Sequence, residues 1–176
     1  GVERMFGKVL TPVISARMAD AIARGEAPPL GSPADLARHT LVEVEDTTPS
    51  ALALGWPSWL AARGQPQLTP RRWIRLNFNH QQIQAVLAGQ GVALAWLPMV
   101  LDALLRGELV EPFGPSLRWW PGYAYWLLPL APMRQDHRAP RPELAALLDF
   151  VRQHAAATRA ALGEVNPDDT GPDEGD

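Results

Sequence analysis

The chain of 176 residues contains no cysteine and no excess of positive charge. Without cysteine it can form no disulfide, use no thiolate nucleophile and hold no zinc through sulfur. Its formal net charge of −3 gives no bulk attraction for nucleic acid or for an acidic membrane surface. The opening residues GVERMFGK lack the apolar segment of a secretory signal. The sequence therefore predicts a cytoplasmic protein.

No segment is typical of a transmembrane helix. Residues 83–101 carry no charge, which on length alone would suit a bilayer crossing. Gly89, Gly91 and Pro98 nevertheless divide the segment into a helix, a turn, the apolar strand VALAWL and the start of a second helix. The sequence predicts no membrane partner.

The common catalytic and cofactor motifs are also missing. The histidines have no spacing typical of metal ligands; they are His39, His80, His137 and His154. There is no G-x-S-x-G elbow and no P-loop, and the Gly-x-Gly at residues 89–91 follows a helix instead of opening one. The sequence predicts no enzyme, no metal site and no cofactor.

Short apolar strands alternate with helical patterns, which indicates an α/β fold with mostly parallel sheets. The predicted strands are residues 9–15, 40–45, 72–78, 92–97, 108–113 and 122–130. The predicted helices are residues 17–25, 32–39, 50–63 with a break near Pro57, 79–89 and 98–107. A final helix presents one apolar stripe, formed by Leu144, Leu147, Leu148 and Val151. Residues 163–176 are acidic and predict a disordered tail.

The segment NFNHQQ, residues 77–82, has features of a ligand site. Asn79 is interpreted as the N-cap of the following helix, with Gln82 reaching back to the N–H of the cap. The free N–H groups of the helix would then face outward at the carboxyl edge of the sheet and suit a small anion. The side chains of Asn79, His80 and Gln81 add donors, and Phe78 adds an apolar wall. The alternative is that Asn79 and Gln82 only cap the helix.

Aromatic residues are grouped near the end of the chain, in SLRWWPGYAYWLL. They could stack on a ligand, but a core or an interface is the preferred interpretation, with Trp126 and Ala124 facing a core and Tyr123 and Tyr125 facing away. The sequence predicts self-association through this strand and the final helix. The group RRWIR, residues 71–75, is interpreted as a solvated edge and not as a nucleic-acid site.

Five segments occur in an order and spacing that resemble the effector-binding region of LysR-type transcriptional regulators. They are PVISARM, SPADLARHTLVEVED, WPSWLAARG, LNFNHQQIQAVLAGQGVALAWLP and LLRGELVEPF. The pair Trp56 and Trp59 and the GQGVAL turn are most similar to the glycine-cleavage-activator subgroup.

The resemblance implies a periplasmic-binding-protein-like α/β fold with two subdomains and a small effector between them. Residues 1–162 would form the effector-binding domain, with subdomain II at about 13–112 and subdomain I formed by residues 1–12 and 113–162. Effector contacts would come from Phe78, Asn79 and His80, and from the crossover that contains Pro12 and Ser15. The winged helix-turn-helix of the family is absent from this sequence, and the first subdomain is expected to be incomplete.

The leading interpretation is the ligand-sensing part of a bacterial transcriptional regulator. It would bind a small, carboxylate-bearing effector, associate with itself as a dimer or tetramer, and reach DNA only through a missing N-terminal domain. The alternative is a free-standing solute-binding module of the same fold. An export signal upstream of Gly1 would favour that module, whereas an upstream helix-turn-helix would exclude it. An enzyme is the third possibility, for which the sequence offers no nucleophile and base pair.

Overall fold

The computed structural model describes residues 2–45, 48–128 and 141–164. The chain forms two compact units. Unit 1 comprises Gly1–Lys8 and Trp120–Asp176, and unit 2 comprises Val9–Trp119. The chain passes from unit 1 to unit 2 after Lys8 and returns to unit 1 after Trp119. These positions lie a few residues outside the bounds of about 13–112 that the resemblance implied for subdomain II.

Seven strands and six α-helices make up the described part of the chain. The strands are β1 (Glu3–Gly7), β2 (Leu10–Ser15), β3 (Thr40–Val44), β4 (Arg72–Leu76), β5 (Val92–Trp96), β6 (Leu109–Val110) and β7 (Ala124–Leu127). The α-helices are α1 (Ala16–Ala23), α2 (Pro49–Ala53), α3 (Trp56–Ala62), α4 (Asn79–Leu87), α5 (Leu97–Leu105) and α6 (Pro142–Leu162). Two 3-10 helices span Pro33–Arg38 and Pro115–Leu117.

Unit 2 is built on a 5-stranded sheet with the order β4-β3-β5-β2-β6. β3 pairs in parallel with both β4 and β5, while β2 pairs antiparallel with both β5 and β6. It follows that β2 alone runs against the other strands. The predicted α/β fold with a mostly parallel sheet is confirmed for this unit.

Both faces of this sheet are covered. Alternate residues of β2, β3 and β5 contact a cluster around Trp56 and Trp59 on one face; they are Leu10, Ile14, Leu41, Val92 and Leu94. The intervening residues are also buried, and α4 contacts β2, β3 and β5. Burial on both faces explains why β2 and β5 are apolar runs without alternation.

The Gly-x-Gly turn between α4 and β5 is structural, as the sequence indicated. Gly89 follows the end of α4 with a φ of 75°, which glycine adopts without strain. A Cβ atom on Gly91 would lie 2.5 Å from the backbone oxygen of Thr40. Only glycine allows β3 and β5 to approach so closely at this point.

Two predicted helices differ in detail. Residues 50–63 form α2 and α3, and the break lies at Gly55, which is the N-cap of α3. Pro57 is the second residue of α3, where its missing N–H costs no helical hydrogen bond, so the proline does not break the helix. Residues 33–38 form a 3-10 helix, at whose start the Asp35 carboxylate accepts hydrogen bonds from the N–H groups of Gly31 and Ser32.

Unit 1 contains a 2-stranded antiparallel sheet of β1 and β7, and α6 contacts β1. The predicted orientation of the β7 aromatics was wrong. Trp126 is exposed, while the ring of Tyr125 lies 4.8 Å from that of Phe6 and burial raises its pKa. Alternation along β7 separates two faces but cannot show which of them is covered. β1 also has a register shift between Arg4 and Phe6.

The predicted apolar stripe of the final helix is only partly covered. Leu147 is exposed, and the buried residues of α6 are Ala155 and Leu162. α6 ends at Gly163, whose φ is 79°. The next residue, Glu164, accepts hydrogen bonds from Arg4 at 2.8 Å and from the N–H of Gly7 at 2.7 Å. Glu164 is therefore not part of a disordered tail, and residues 165–176 lie outside the described part of the chain.

No helix in the described ranges is both long enough and apolar enough to cross a membrane.

Candidate functional site

The strands β3, β4 and β5 end on one edge of the unit 2 sheet, here called the carboxyl edge. Their last residues are Val44, Leu76 and Trp96. Because β2 runs in the opposite direction, it begins at this edge, with Leu10 opposite Trp96. Open α/β sheets bind ligands outside the carboxyl ends of their strands. The carboxyl edge is therefore where a ligand site is expected in unit 2.

The order of the strands reverses between β3 and β5. From β3 the chain goes outward to β4 at the edge of the sheet, and it returns across β3 to reach β5. The backbone pairing of β3 with β5 covers only Leu41 with Val92 and Val42 with Ala93. Such a reversal separates the connections that leave adjacent strands, and it is where a ligand crevice forms.

Gln82 occupies this point in the sheet. It is 5% exposed, and its Nε2 donates to the backbone oxygens of Val42 at 3.1 Å and Leu94 at 3.4 Å. The Nε1 of Trp56 donates to the same Val42 oxygen at 3.1 Å. Gln82 therefore joins β3 to β5 where their backbone pairing has stopped. Its predicted role as the partner of a helix cap was wrong.

α4 begins at the carboxyl edge directly after β4. The N-cap is Phe78, with extended backbone and no capping hydrogen bond from a side chain, so the prediction that Asn79 is the cap was wrong. Asn79 is the first helical residue. The backbone oxygen of Phe78 accepts from the N–H groups of Gln81 at 3.1 Å and Gln82 at 3.2 Å. An asparagine caps a helix only if it is the residue just before the first helical one. The sequence alone does not fix that boundary to within one residue.

The first two helical residues of α4 carry backbone N–H donors at the carboxyl edge. Within the described residues, the N–H groups of Asn79 and His80 have no acceptor. Free N–H groups and the positive end of the helix dipole favour an anion. α5 also begins at this edge, but the N–H of Leu97 donates to the Val9 oxygen at 2.8 Å and Pro98 has no N–H. The start of α4 is thus the better anion site of the two.

The side chains beside these donors are largely exposed. Phe78 is 58% exposed, and its ring stacks on the imidazole of His80 with centroids 5.6 Å apart and planes inclined by 16°. Gln81 is also exposed, and its Oε1 accepts from the N–H of Asn77 at 3.2 Å. The exposed rings of Phe78 and His80 therefore lie beside these backbone donors.

Pro12 and Ser15, the two effector contacts that the resemblance implied for the crossover, lie on β2. Pro12 is buried within the strand, opposite Leu94. Ser15 is buried at the other end of β2, and its Oγ accepts from the N–H of Met18, which makes it the N-cap of α1. A Cβ on Gly89 would lie 3.5 Å from this Oγ. Ser15 is thus near the end of α4, roughly 13 Å from its start, since a helix rises about 1.5 Å per residue. The structure does not bring Ser15 together with Phe78, Asn79, His80 and Gln81.

Sequence reasoning also missed a buried polar group at the start of β2. Thr11 donates to Glu111, and Glu111 forms a bidentate ion pair with Arg118. Burial acts to raise the pKa of Glu111, but the hydrogen bonds from Arg118 and Thr11 outweigh it and hold that pKa below its ordinary value. Seven residues separate the two charged partners, a spacing that carries no signal in the sequence. Over the described ranges no group of three His, Asp or Glu side chains is placed to hold a metal ion.

Comparison with known proteins agrees with this architecture. The model of the LysR substrate binding domain matches residues 10–156. The chain belongs to this family. It is 31% identical over 116 residues to the glycine cleavage system transcriptional activator of Escherichia coli K12, covering 66% of this chain and 34% of the activator. It is 33% identical over 122 residues to the HTH-type transcriptional activator AmpR of Pseudomonas aeruginosa, covering 69% of this chain and 36% of AmpR.

The LysR substrate-binding domain also accounts for the fold. The effector domain of Pseudomonas aeruginosa AmpR superposes with a TM-score of 0.64 at 25% identity, covering 94% of this chain and 69% of that domain. The C-terminal domains of a LysR family protein from Agrobacterium tumefaciens superpose with a TM-score of 0.56 at 20% identity, covering 89% and 66%. The predicted LysR resemblance and the periplasmic-binding-protein-like α/β fold are confirmed. The chain spans about a third of the length of these curated relatives, both of which are transcriptional activators.

Proposed function

We propose that this chain is the ligand-sensing part of a LysR-type transcriptional regulator and that it binds a small, carboxylate-bearing effector at the start of α4. One observation carries the proposal. Among the described residues, the N–H groups of Asn79 and His80 have no acceptor, and they lie at the carboxyl edge beside the exposed rings of Phe78 and His80. The family membership of residues 10–156 supports the assignment of a sensing role.

Each part of the site has a distinct role in this proposal. The N–H groups of Asn79 and His80 donate to the effector carboxylate, and the helix dipole adds to the attraction. The ring of Phe78 packs against the apolar part of the effector. Gln81 adds an amide, and Gln82 seats the first turn of α4 on the sheet. Pro12 and Ser15 are not included, because both are buried and Ser15 caps α1.

Effector binding regulates transcription in this proposal by favouring one of two arrangements of a DNA-bound oligomer. A ligand shifts such an equilibrium only by the difference of its affinities for the two states. DNA contact is assigned to a separate helix-turn-helix domain, since the AmpR relative is of the HTH type and this chain matches 36% of it. A net charge of −3 also disfavours direct DNA binding by these residues.

Self-association is proposed to use exposed apolar side chains of unit 1. Trp126 on β7 is 53% exposed, and Phe150 on α6 is 56% exposed. Large apolar side chains with this exposure are common at protein interfaces. The proposed assembly is a dimer or a tetramer.

The test of the effector site is a thermal-shift screen of amino acids and of aromatic and aliphatic carboxylic acids, followed by calorimetric titration of each hit. Each hit is repeated as its carboxamide, which has a similar shape but no negative charge. We expect the carboxamide to lose most of the affinity, and we expect Phe78→Ala to weaken binding by roughly tenfold. Gln84→Ala is the matched control, because Gln84 is exposed on the same helix but lies a full turn from the site.

Two results would count against the site at the start of α4. Hits that bind the Phe78→Ala and His80→Ala variants as tightly as the unaltered chain would place the effector elsewhere. Hits that bind equally well as carboxamides would remove the carboxylate from the proposal.

A further inference from the structure

A polar cluster lies where both connecting segments leave unit 2. Thr11 follows Leu10 on β2, and Arg118 precedes Trp119 on the returning segment. Leu10 and Trp119 pair the two connecting segments within unit 2, and each donates its N–H to the oxygen of the other, at 3.0 and 2.8 Å. Between Thr11 and Arg118 lies the carboxylate of Glu111.

The geometry of this cluster is that of a strong charge-assisted network. The Oγ1 of Thr11 donates to Oε1 of Glu111 at 2.6 Å. Arg118 donates from Nε to Oε1 and from Nη2 to Oε2, both at 2.8 Å. Thr11 is fully buried, and the side chains of Glu111 and Arg118 are only 11% and 21% exposed. A bidentate ion pair that is this well shielded from solvent is well ordered. Removing one partner leaves the other charge buried without compensation.

The cluster closes a loop in the sheet. β6 pairs with β2 through Ile14 with Val110 and Ser15 with Leu109. The chain then leaves the sheet for residues 111–118 and returns to β2 at the single bridge of Trp119 with Leu10. Glu111 and Arg118 are the first and last residues of this excursion, and Thr11 lies on β2 between the two pairings. The ion pair therefore joins the ends of the loop, and Thr11 fixes them to the strand.

We propose that Thr11, Glu111 and Arg118 are positioning residues that set the register of the returning segment against β2. They keep Trp119 opposite Leu10, so that the two connecting segments leave unit 2 as a paired ribbon. A lone two-residue bridge is too short to hold its own register, because one residue of slip costs it little. The network supplies the fixed distance that the short bridge lacks.

The test is amide hydrogen exchange, measured residue by residue on the full chain of 176 residues. In Glu111→Gln and in Thr11→Val we expect the amides of Leu10 and Trp119 to exchange on the order of tenfold faster or more. The amides that pair β2 with β5 should keep their protection. Thr11→Ser retains the hydroxyl and should restore slow exchange at both positions.

Glu108→Gln is the matched control. Glu108 also forms a bidentate pair with an arginine, Arg106, but both side chains are exposed and neither lies near the bridge. If Glu111→Gln fails to fold, Thr11→Val decides the question, since it removes one neutral donor and keeps the ion pair. The proposal would be overturned if exchange at Leu10 and Trp119 is unchanged in Thr11→Val, or if exchange is accelerated equally throughout unit 2. The three residues would then have no specific role in setting the register of Trp119 against Leu10.

Discussion

The amide of Gln82 stands in for backbone pairing at the middle of the unit 2 sheet. A buried side-chain amide is stable only when its polar atoms have partners, and the Val42 and Leu94 oxygens provide them. The same contacts attach the first turn of α4 to two strands. Gln82 is the buried residue of NFNHQQ, so it supports the start of α4 and is not part of the exposed surface.

Replacing Gln82 by methionine keeps the approximate size of the side chain but removes the donor. The Leu94 oxygen then loses its side-chain partner, and we expect the free energy of unfolding to fall by about 1–3 kcal/mol. Urea denaturation followed by circular dichroism measures the change. The same substitution at Gln84, which is exposed on α4, should alter stability by less than about 0.5 kcal/mol. Equal losses at both positions would show that the amide bonds of Gln82 contribute nothing specific.

The role of Gln82 could not be predicted from sequence because it depends on residues 40 and 12 positions away. Local spacing favoured a capping box, since Gln82 stands three residues after Asn79. The orientation of Trp126 was likewise hidden, because alternation along β7 does not show which of its two faces the rest of unit 1 covers. Short-range patterns predicted where elements lie but not which partner a polar or aromatic side chain finds.

At the scale of elements, the starts of α1 and α4 differ in how they are capped. Ser15 has extended backbone, with φ −68° and ψ 151°, and its Oγ accepts from Met18 at 3.1 Å. Asn79 is already helical and caps nothing. In the part of the chain that the structure describes, the helix without a side-chain cap is also the one whose first two N–H groups have no acceptor.

This difference predicts opposite responses to alanine. Ser15→Ala should lower the free energy of unfolding by about 1 kcal/mol, as the loss of a side-chain cap does. Asn79→Ala should cost less than half as much, because Asn79 is not the cap of α4 and alanine has the higher helix propensity of the two residues. Both changes can be measured by chemical denaturation at neutral pH. A larger loss for Asn79→Ala than for Ser15→Ala would mean that Asn79 caps α4 in solution.

The loop of residues 111–118 gives unit 2 a predictable response to acid. The pKa of Glu111 is held below its ordinary value of 4.5 in the folded chain, although burial opposes this. A carboxyl group with a lowered folded pKa stabilises the protein above its unfolded pKa, and the contribution is lost as the pH falls through the folded pKa. The stability of the unaltered chain should therefore fall more steeply below about pH 4.5 than that of Glu111→Gln.

Equilibrium unfolding in urea, measured at intervals between about pH 6 and pH 3, checks this expectation. Gln84→Ala, an exposed substitution that removes no titratable group, is the control and should leave the shape of the pH curve unchanged. Parallel curves for Glu111→Gln and the unaltered chain would contradict the stated role of the carboxylate.

Most strands and helices could be predicted because turn residues bracket them. Gly89 and Gly107 end α4 and α5, and both have positive φ. The apolar run from Val92 to Leu97 predicted β5 to within one residue. β6 was predicted too long, since only Leu109 and Val110 pair with β2 before the chain leaves the sheet. Composition alone cannot show at which residue a strand stops pairing with the next strand.

At the scale of the whole molecule, the exposed apolar side chains of unit 1 predict association. We expect a dimer or larger species by sedimentation velocity at tens of micromolar, since patches of this kind seldom remain exposed to water. Trp126→Glu and Phe150→Glu should shift the protein toward the monomer. Leu105→Glu is the control, because Leu105 is 77% exposed but belongs to unit 2. A monomer at high micromolar concentration would contradict the proposed assembly.

The position of β2 in the sheet also affects how the chain folds during its synthesis. β2 is synthesised before its neighbours in the sheet, β5 and β6, which begin at Val92 and Leu109. The nascent chain must therefore keep six residues that are all buried in the native state without their partners while some eighty more are added. Unpaired apolar strands of this kind are targets for chaperones and for aggregation. A ribosome that stalls before Val92 would release a β2 strand with no neighbour to join.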